Sequence, residues 1–473
     1  MTELWRLSAT EAVARLRKRE LKPLELIDAA LARIEAVGKP VNALPTVCAE
    51  RARAHAQRLE GTTSDDPGWL AGLPIAIKDT ADVAGVRTTY GSPIYANHVP
   101  ERSDIQVETL EARGAIVLAK SNTPEFAAGA NTFNEVFGKT RNPWKTTQTA
   151  GGSSGGAAAA LATGQVWLAH GSDTGGSLRI PASFCGVVGL RPSPGRVAHR
   201  GPRTLPFEVL SVDGPIARSV GDLALFLDAM TGEHWADPAC LPRPAEPFQR
   251  AAARAKLPPR IAWSPDLGGL MPLDPEVRAV CTAVARQLDG LGARVEETCP
   301  DFGDATEIFR VLRAASFAAR YAPLLATNRK DLKPEIIGNI EAGLALTGEV
   351  HGRAEAARTT LVHRTAAFFQ QHDLLITPAV IVPPFDIEQR YLTEVGGHKF
   401  KDYVGWLIGS FAITLTTCPA ISIPCGFTKD GLPIGLQIVA PFRGEAALLS
   451  GAAAIEAALT LPRKTPIDPV VAH

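Results

Sequence analysis

The chain has 473 residues, of which 45% are hydrophobic, so it is long enough to bury a sizeable core. Its 49 basic and 49 acidic residues give a formal net charge of zero at pH 7, which excludes the broad electrostatic attraction that draws proteins to nucleic acid or anionic membranes. No segment approaches the roughly 18 consecutive apolar residues that a membrane span requires, so neither kind of partner is expected.

Helical and strand patterns alternate along the first part of the chain. The first predicted helix opens with a capping box, Ser-x-x-Glu, and no basic-then-apolar secretion signal precedes it. Alternation of this kind is typical of an α/β layer architecture. The predicted elements are helices over residues 8–19, 23–37 and 103–113 and strands over residues 73–78 and 115–120.

Cysteine and histidine usage limits the chemistry. The seven cysteines are odd in number, widely spread and without a Cys-x-x-Cys pair, which predicts reduced thiols. The ten histidines show no His-Glu-x-x-His or other metal spacing, so a zinc hydrolase is disfavoured and no metal or cofactor is expected. These features together predict a cytoplasmic enzyme.

A lysine ends the first predicted strand. The sequence Gly-Leu-Pro-Ile-Ala-Ile-Lys-Asp places Lys78 after a short apolar run that is typical of a buried strand. Burial disfavours the ammonium form, so a lysine in this position can be neutral often enough to accept a proton. It can do so through an intermediate serine hydroxyl, because a hydroxyl both donates and accepts hydrogen bonds.

Two clusters of glycine and serine supply hydroxyls. Residues 151–156 read Gly-Gly-Ser-Ser-Gly-Gly and lead into an alanine-rich helical run, and residues 173–177 read Asp-Thr-Gly-Gly-Ser after a strand-like segment. Glycines let backbone amides approach a bound group without side-chain obstruction. Ser153 and Ser177 therefore offer candidate nucleophiles beside amide donors, the two parts that acyl transfer needs.

Other interpretations compete for these clusters. The first cluster also fits a flexible linker, although a linker rarely adjoins a helical alanine run so directly. A phosphate-binding loop fails because no lysine follows the glycines. A Gly-x-Ser-x-Gly nucleophile elbow should follow an apolar strand, whereas residues 144–149 are polar and loop-like, and nothing marks His363 or His372 as its partner. Asp173 and Arg179 predict a structural ion pair.

Taken together, the motifs resemble the amidase signature family of serine hydrolases. The resemblance is carried by Lys78 in Ala-Ile-Lys-Asp, by the cluster at 151–156 and by Asp-Thr-Gly-Gly-Ser-Leu-Arg-Ile-Pro-Ala at 173–182. It covers most of the chain and is weak between about 235 and 370. Further matching segments are Lys-Ser-Asn-Thr-Pro-Glu-Phe at 120–126, Arg-Asn-Pro-Trp at 141–144, Cys-Gly-Val-Val-Gly-Leu-Arg-Pro at 185–192, Pro-Ala-Ile-Ser-Ile-Pro at 419–424 and Leu-Pro-Ile-Gly-Leu-Gln at 432–437.

The resemblance implies a Ser–cis-Ser–Lys triad. Ser177 would be the nucleophile, Ser153 the bridging serine on a cis peptide bond, and Lys78 the base. The implied oxyanion hole consists of backbone amides that end at Ser177. The oxyanion and substrate-binding positions are Thr174, Gly175, Gly176 and Ser154.

The resemblance also implies the architecture. The expected fold is a large mixed β-sheet covered by helices on both faces, formed by a single amidase-like domain over residues 1–473. The signature core is expected at about 70–230 and a variable region at about 235–370. Residues 242–372 show mostly an alanine- and arginine-rich helical pattern.

The implied reaction is hydrolysis of a small, mainly uncharged amide through an acyl-enzyme, with carbamates or esters as further substrates. One alternative is a glutaminase-type amidotransferase subunit that works in a complex. Ile180 disfavours it, because that type of subunit typically has glutamine after the arginine. A non-catalytic binding homologue is the other alternative, which the intact triad disfavours. A homodimer stays open.

Apolar residues predict where the acyl group binds. The segment 126–137, with Phe133 and Phe137, could supply an apolar acyl pocket. Trp406 and Phe411, which precede the motif at 419–424, are further candidates for the pocket wall.

Overall fold

The centre of the computed structural model, which describes residues 3–199, 205 and 207–471, is an eleven-stranded mixed β-sheet. Its strands lie side by side in the order β1-β3-β2-β4-β6-β5-β10-β11-β9-β7-β8. The strands are β1 (Thr46–Val47), β2 (Pro74–Lys78), β3 (Ile116–Ser121), β4 (Leu168–Asp173), β5 (Val188–Arg191), β6 (Val212–Ala217), β7 (Arg260–Trp263), β8 (Arg294–Glu297), β9 (Leu374–Pro378), β10 (Ala420–Phe427) and β11 (Pro433–Val439).

Both directions of pairing occur in this sheet. Strand β2 runs parallel to β3 and β4, and β7 runs parallel to β8 and β9. The strands between them pair antiparallel, from β4 through β6, β5, β10 and β11 to β9. The mixed sheet expected from the resemblance is confirmed.

Helices cover both faces of the sheet. Along β9, Leu374 and Ile376 belong to one hydrophobic cluster, whereas Leu375 between them belongs to another, because successive strand residues point to opposite faces. None of the helices described is long and apolar enough to cross a membrane. The helices are α1 (Ala9–Arg17), α2 (Pro23–Val41), α3 (Ala49–Arg58), α4 (Ile105–Ala112), α5 (Gly155–Ala162), α6 (Arg179–Cys185), α7 (Val220–Met230), α8 (Phe248–Arg254), α9 (Pro275–Gly290), α10 (Ala305–Asn328), α11 (Pro334–Leu344), α12 (Gly348–Phe368), α13 (Ile408–Leu415) and α14 (Glu445–Ala458).

Most of the predicted elements are confirmed. The capping box at Ser8 begins α1, and the two predicted strands are β2 and β3 with shifts of one residue. The segment 144–149 was expected to be a loop, which is wrong. It contains a strand, Lys145–Thr149, that pairs with Arg141–Asn142 in a small separate sheet, where polar residues suffice because part of the strand is exposed.

The region expected to be mostly helical also contains two strands. Residues 242–372 include α8 to α12, as predicted, but also β7 and β8 at one edge of the sheet. Strand β8 has only four residues, Arg-Val-Glu-Glu, and is largely exposed, so its sequence shows no apolar run. Pairing with β7 rather than hydrophobic pattern defines it.

Candidate active site

Lys78 lies at the end of β2 and is fully buried. Its Nζ is 2.7 Å from Ser153 Oγ, 3.0 Å from Ser154 Oγ and 2.9 Å from Ser172 Oγ. Burial lowers the pKa of Lys78 to about 7, although the carboxylates of Asp213 and Asp173 act in the opposite direction. A neutral amine donates only two hydrogens, so one of the three hydroxyls then directs its own proton at Nζ.

The loop before α5 presents Ser153 to this lysine. The Gly152–Ser153 peptide bond is cis, as the resemblance implied. The hydroxyl of Thr132 donates to the Gly151 carbonyl (2.8 Å) and accepts from the Gly155 amide (3.2 Å), which fixes both ends of the loop. Helix α5 is buried along its whole length because its side chains are small.

A buried ion-pair network fixes the turn that carries Ser177. The Asp173 carboxylate accepts hydrogen bonds from the amides of Gly176 (2.9 Å) and Leu178 (3.1 Å) and from the Arg179 guanidinium (2.9 and 3.1 Å). Burial by itself would raise the pKa of Asp173, but the guanidinium groups of Arg179 and Arg191 hold it well below its usual range. The predicted pair between Asp173 and Arg179 is therefore confirmed.

Ser177 and Ser153 line the same cavity, together with Thr174 and Gly175. Within the part of the chain that the structure describes, no hydrogen bond joins the two serine hydroxyls, and the amides of Thr174, Gly175 and Ser177 have no protein acceptor. These amides are therefore able to donate hydrogen bonds to an oxyanion that develops in the cavity, where the Ser177 hydroxyl can attack a carbonyl carbon.

Two of the residues expected in the oxyanion and substrate-binding set, Gly176 and Ser154, do not line the cavity. The Gly176 amide is occupied by Asp173. Gly176 has φ of 112°, and a β-carbon there would lie 2.5 Å from the Ser410 side chain, so the turn requires glycine for its shape. Ser154 is fully buried against Lys78 and does not line the cavity.

The cavity has a volume of about 490 Å³ and an aromatic wall. Phe126 lies on that wall, but Phe133 and Phe137 from the same segment do not. The Phe133 ring packs beneath the Arg390 guanidinium at 4.9 Å, and the Phe137 ring packs beneath that of Arg87 at 4.9 Å. The segment 126–137 thus supplies one of its three phenylalanines to the cavity.

Helix α10 supplies most of the remaining aromatic wall. Phe309, Phe317 and Tyr321 project from α10 into the cavity. Their spacing of eight and then four residues is a helical-face signal that sequence reasoning missed. Phe411 stacks on Phe309 with ring centroids 4.4 Å apart and lies behind the wall, whereas Trp406 is buried against Phe385 and does not line the cavity.

Polar residues on β4 and β6 were also missed. Ser172 faces Lys78, and Asp213 is its cross-strand partner on β6. The Asp213 carboxylate is 3.4 Å from His170 Nε2 and 3.8 Å from His199 Nδ1. Burial would raise the pKa of Asp213, but these imidazoles and Lys78 lower it overall. Because His170 and Ser172 alternate along one strand, period-two spacing could have placed them on the same face.

Comparison with known proteins gives the family. The Amidase family model matches residues 25–449. The chain is 36% identical to an acylamidase from Rhodococcus erythropolis over 98% of each chain, and 36% identical to a glutamyl-tRNA(Gln) amidotransferase subunit from Synechococcus sp. (strain WH7803) over 94% of this chain and 96% of that one. The crystal structure of a bacterial aryl acylamidase of the amidase signature enzymes family superposes with a TM-score of 0.87 at 27% identity, over 96% of each chain. The chain therefore belongs to the amidase signature family and is an amidase, as its motifs indicated.

Proposed function

We propose that this amidase hydrolyses its substrate through an acyl-enzyme on Ser177, with Ser153 as the proton relay and Lys78 as the base. The observation that carries the proposal is the 2.7 Å contact between Lys78 Nζ and Ser153 Oγ, deep in the protein and beside the cavity that Ser177 lines. A buried lysine surrounded by hydroxyls can lose its proton near neutral pH, which a solvent-exposed lysine does not do.

The proton moves in two linked transfers. Lys78 accepts the proton of Ser153 as Ser153 takes that of Ser177, whose oxygen attacks the carbonyl carbon. The Ser177 hydroxyl must approach Ser153 in the substrate complex, since catalytic hydrogen bonds often tighten only there. The leaving amine is then protonated back through Ser153, and water repeats the sequence to release the acid.

Backbone amides stabilise the charge on the carbonyl oxygen. The amides of Thr174, Gly175 and Ser177 are available for this role, because these residues line the cavity and no protein acceptor in the described residues occupies their amides. Amides held in a rigid turn need no reorganisation when the oxyanion forms. The Asp173 carboxylate fixes that turn by accepting the Gly176 amide, and Arg179 holds the carboxylate in place.

The substrate that fits best is a small, mainly uncharged amide with an apolar or aryl group against Phe309, Phe317 and Tyr321. The two arginines on the cavity wall are engaged already: Arg313 donates to Asn339 Oδ1 (2.6 Å) and to the Tyr403 hydroxyl, and Arg320 pairs with Glu208. The similarity to an acylamidase supports an acyl amide as the substrate. Carbamates and esters are further expected substrates, because attack on their carbonyl carbon proceeds by the same acyl transfer.

The second candidate is an amidotransferase subunit that works in a complex, which the relative from Synechococcus supports. We favour the independent amidase because Ile180 stands where that type of subunit typically has glutamine. We further propose that the chain forms one amidase domain and acts in the cytoplasm, alone or as a homodimer.

A covalent probe tests the proposal. The purified chain should react with a fluorophosphonate, and mass spectrometry should find the adduct on Ser177. Ser177→Ala should lose the adduct, whereas Ser211→Ala, a matched change at a cavity serine that makes no hydrogen bond to Lys78, should keep it. An adduct on another residue would refute the assignment. A panel of uncharged amides and glutamine then separates the two candidates: activity on glutamine that requires added partner subunits would favour the amidotransferase.

A further inference from the structure

Asp213 lies directly opposite Ser172, which contacts the proposed base Lys78. It pairs in register with Ser172 on the neighbouring antiparallel strand, and Ser172 Oγ accepts a hydrogen bond from Lys78 Nζ at 2.9 Å. Directly opposed residues of such a pair have β-carbons about 4.5–5.5 Å apart and point to the same face. Both side chains line the cavity that contains Ser177.

The other carboxylate near Lys78 is already neutralised. Asp173 is contacted by two guanidinium groups, Arg179 at 2.9 Å and Arg191 at 3.4 Å, so its negative charge is more than balanced. Asp213 instead faces two imidazoles, His170 and His199, which carry a positive charge only when they are protonated. Asp213 therefore keeps a net negative field at the site when these imidazoles are neutral.

The proposed reaction creates a buried positive charge. When Ser177 attacks, one proton leaves Ser177 for Ser153 and one leaves Ser153 for Lys78, so an ammonium forms on Lys78 as the oxyanion forms on the substrate. Among the described residues, the hydrogen-bond partners of this ammonium are three neutral hydroxyls. A buried charge without a counter-charge is strongly unfavourable.

We infer that Asp213 is a positioning residue that provides the counter-charge for the Lys78 ammonium formed during catalysis. This inference rests on the proposed function, because it requires Lys78 to be the base. Asp213 acts through the lysine and not on the substrate. The charged and titratable groups that act on Lys78 or Asp213 are Asp104, His170, Asp173 and His199.

The pH dependence of Asp213→Asn tests the inference. Removing the negative charge makes Lys78 a weaker base, so the acidic limb of kcat/KM should move to lower pH by about one unit. The rate on the plateau should fall by up to about tenfold for each unit that the limb moves. Asp213→Glu should restore both the position of the acidic limb and the plateau rate. Simple structural damage would lower the rate at every pH and leave the limb in place.

Asp222→Asn is the matched control. Asp222 is buried outside the cavity, and its carboxylate accepts the Thr10 amide at 2.9 Å, which an asparagine oxygen can also do. The acidic limb of this variant should coincide with that of the wild type. An acidic limb that is unmoved in Asp213→Asn, or moved equally in Asp222→Asn, would overturn the inference. If the wild type shows no acidic limb, or Ser177→Ala stays active, the proposed function has failed instead.

Discussion

The proposed role of Lys78 as the base has the sharpest test, because only its neutral form can accept a proton and the rate of hydrolysis should follow the fraction that is neutral. With a pKa of about 7 in place of the ordinary 10.5, roughly half of the Lys78 side chains are neutral at about pH 7 and roughly a tenth at about pH 6. A lysine with its ordinary pKa would be neutral in only about 0.03% of molecules at about pH 7. We therefore expect kcat/KM to rise about tenfold per unit below about pH 6 and to level off above about pH 8.

Replacing the base should remove this dependence together with most of the activity. Lys78→Met keeps the apolar stem but has no amine, so kcat should fall by about 10²–10⁴-fold, the usual contribution of general-base assistance. The assay is the initial rate on a chromogenic amide from about pH 5 to about pH 9, with circular dichroism to check the fold.

A second buried lysine provides the control. Lys120, near the end of β3, is as buried as Lys78, but its Nζ pairs with Asp79 at 3.5 Å and donates to the Ala81 carbonyl, and Lys120 itself does not line the cavity. Lys120→Met should lower stability and leave the acidic limb in place. The assignment of Lys78 would be refuted if activity still rose steeply above about pH 9, or if Lys78→Met kept the wild-type rate.

Three further outcomes follow from the same geometry. Ser177→Ala should abolish turnover and leave the melting temperature nearly unchanged, and residual turnover at wild-type rates would contradict its role. Arg179→Met should destabilise the protein by about 2–4 kcal/mol in urea unfolding, because it removes two hydrogen bonds to the buried Asp173 carboxylate and leaves Gln437 Oε1 without its guanidinium donor; a loss below about 1 kcal/mol would show that the ion pair is dispensable. Phe309→Ala should raise KM for an aryl amide several-fold but not for acetamide, and equal effects on both would remove Phe309 from the acyl pocket.

Local patterns explain why the sequence predicts Lys78, Ser153 and Ser177 as a candidate triad. The strand that ends at Lys78 is a continuous apolar run, and the two glycine-serine clusters mark tight turns, so each signal lies within about ten residues of chain. These local signals do not show whether the lysine and the two serines contact one another. The pairing of β2 with β4 brings Lys78 and the second cluster to the same end of two adjacent strands, and the 2.7 Å contact between Lys78 and Ser153 places the first cluster there as well.

The residues that were missed depend on tertiary neighbours. Asp213 acquires significance only through its register with Ser172, and register between distant strands cannot be read from one sequence. Phe309 reaches the cavity because α10 packs against α11, α12 and α13, in the region where the motifs are weakest. The expectation that Phe133 and Phe137 line the cavity is wrong for the same reason. Each ring packs against an arginine from a distant segment, Arg390 and Arg87 respectively, and the sequence alone does not show these contacts.

Burial alone does not make a lysine a base. Lys78 and Lys120 end adjacent parallel strands, and burial lowers the pKa of both. Lys120 has a carboxylate beside it, which favours its ammonium form, whereas the direct partners of Lys78 are hydroxyls that serve an amine and an ammonium equally well. Lys78 can therefore change its charge during a reaction without losing its contacts, and one of those contacts, Ser153, opens onto the cavity.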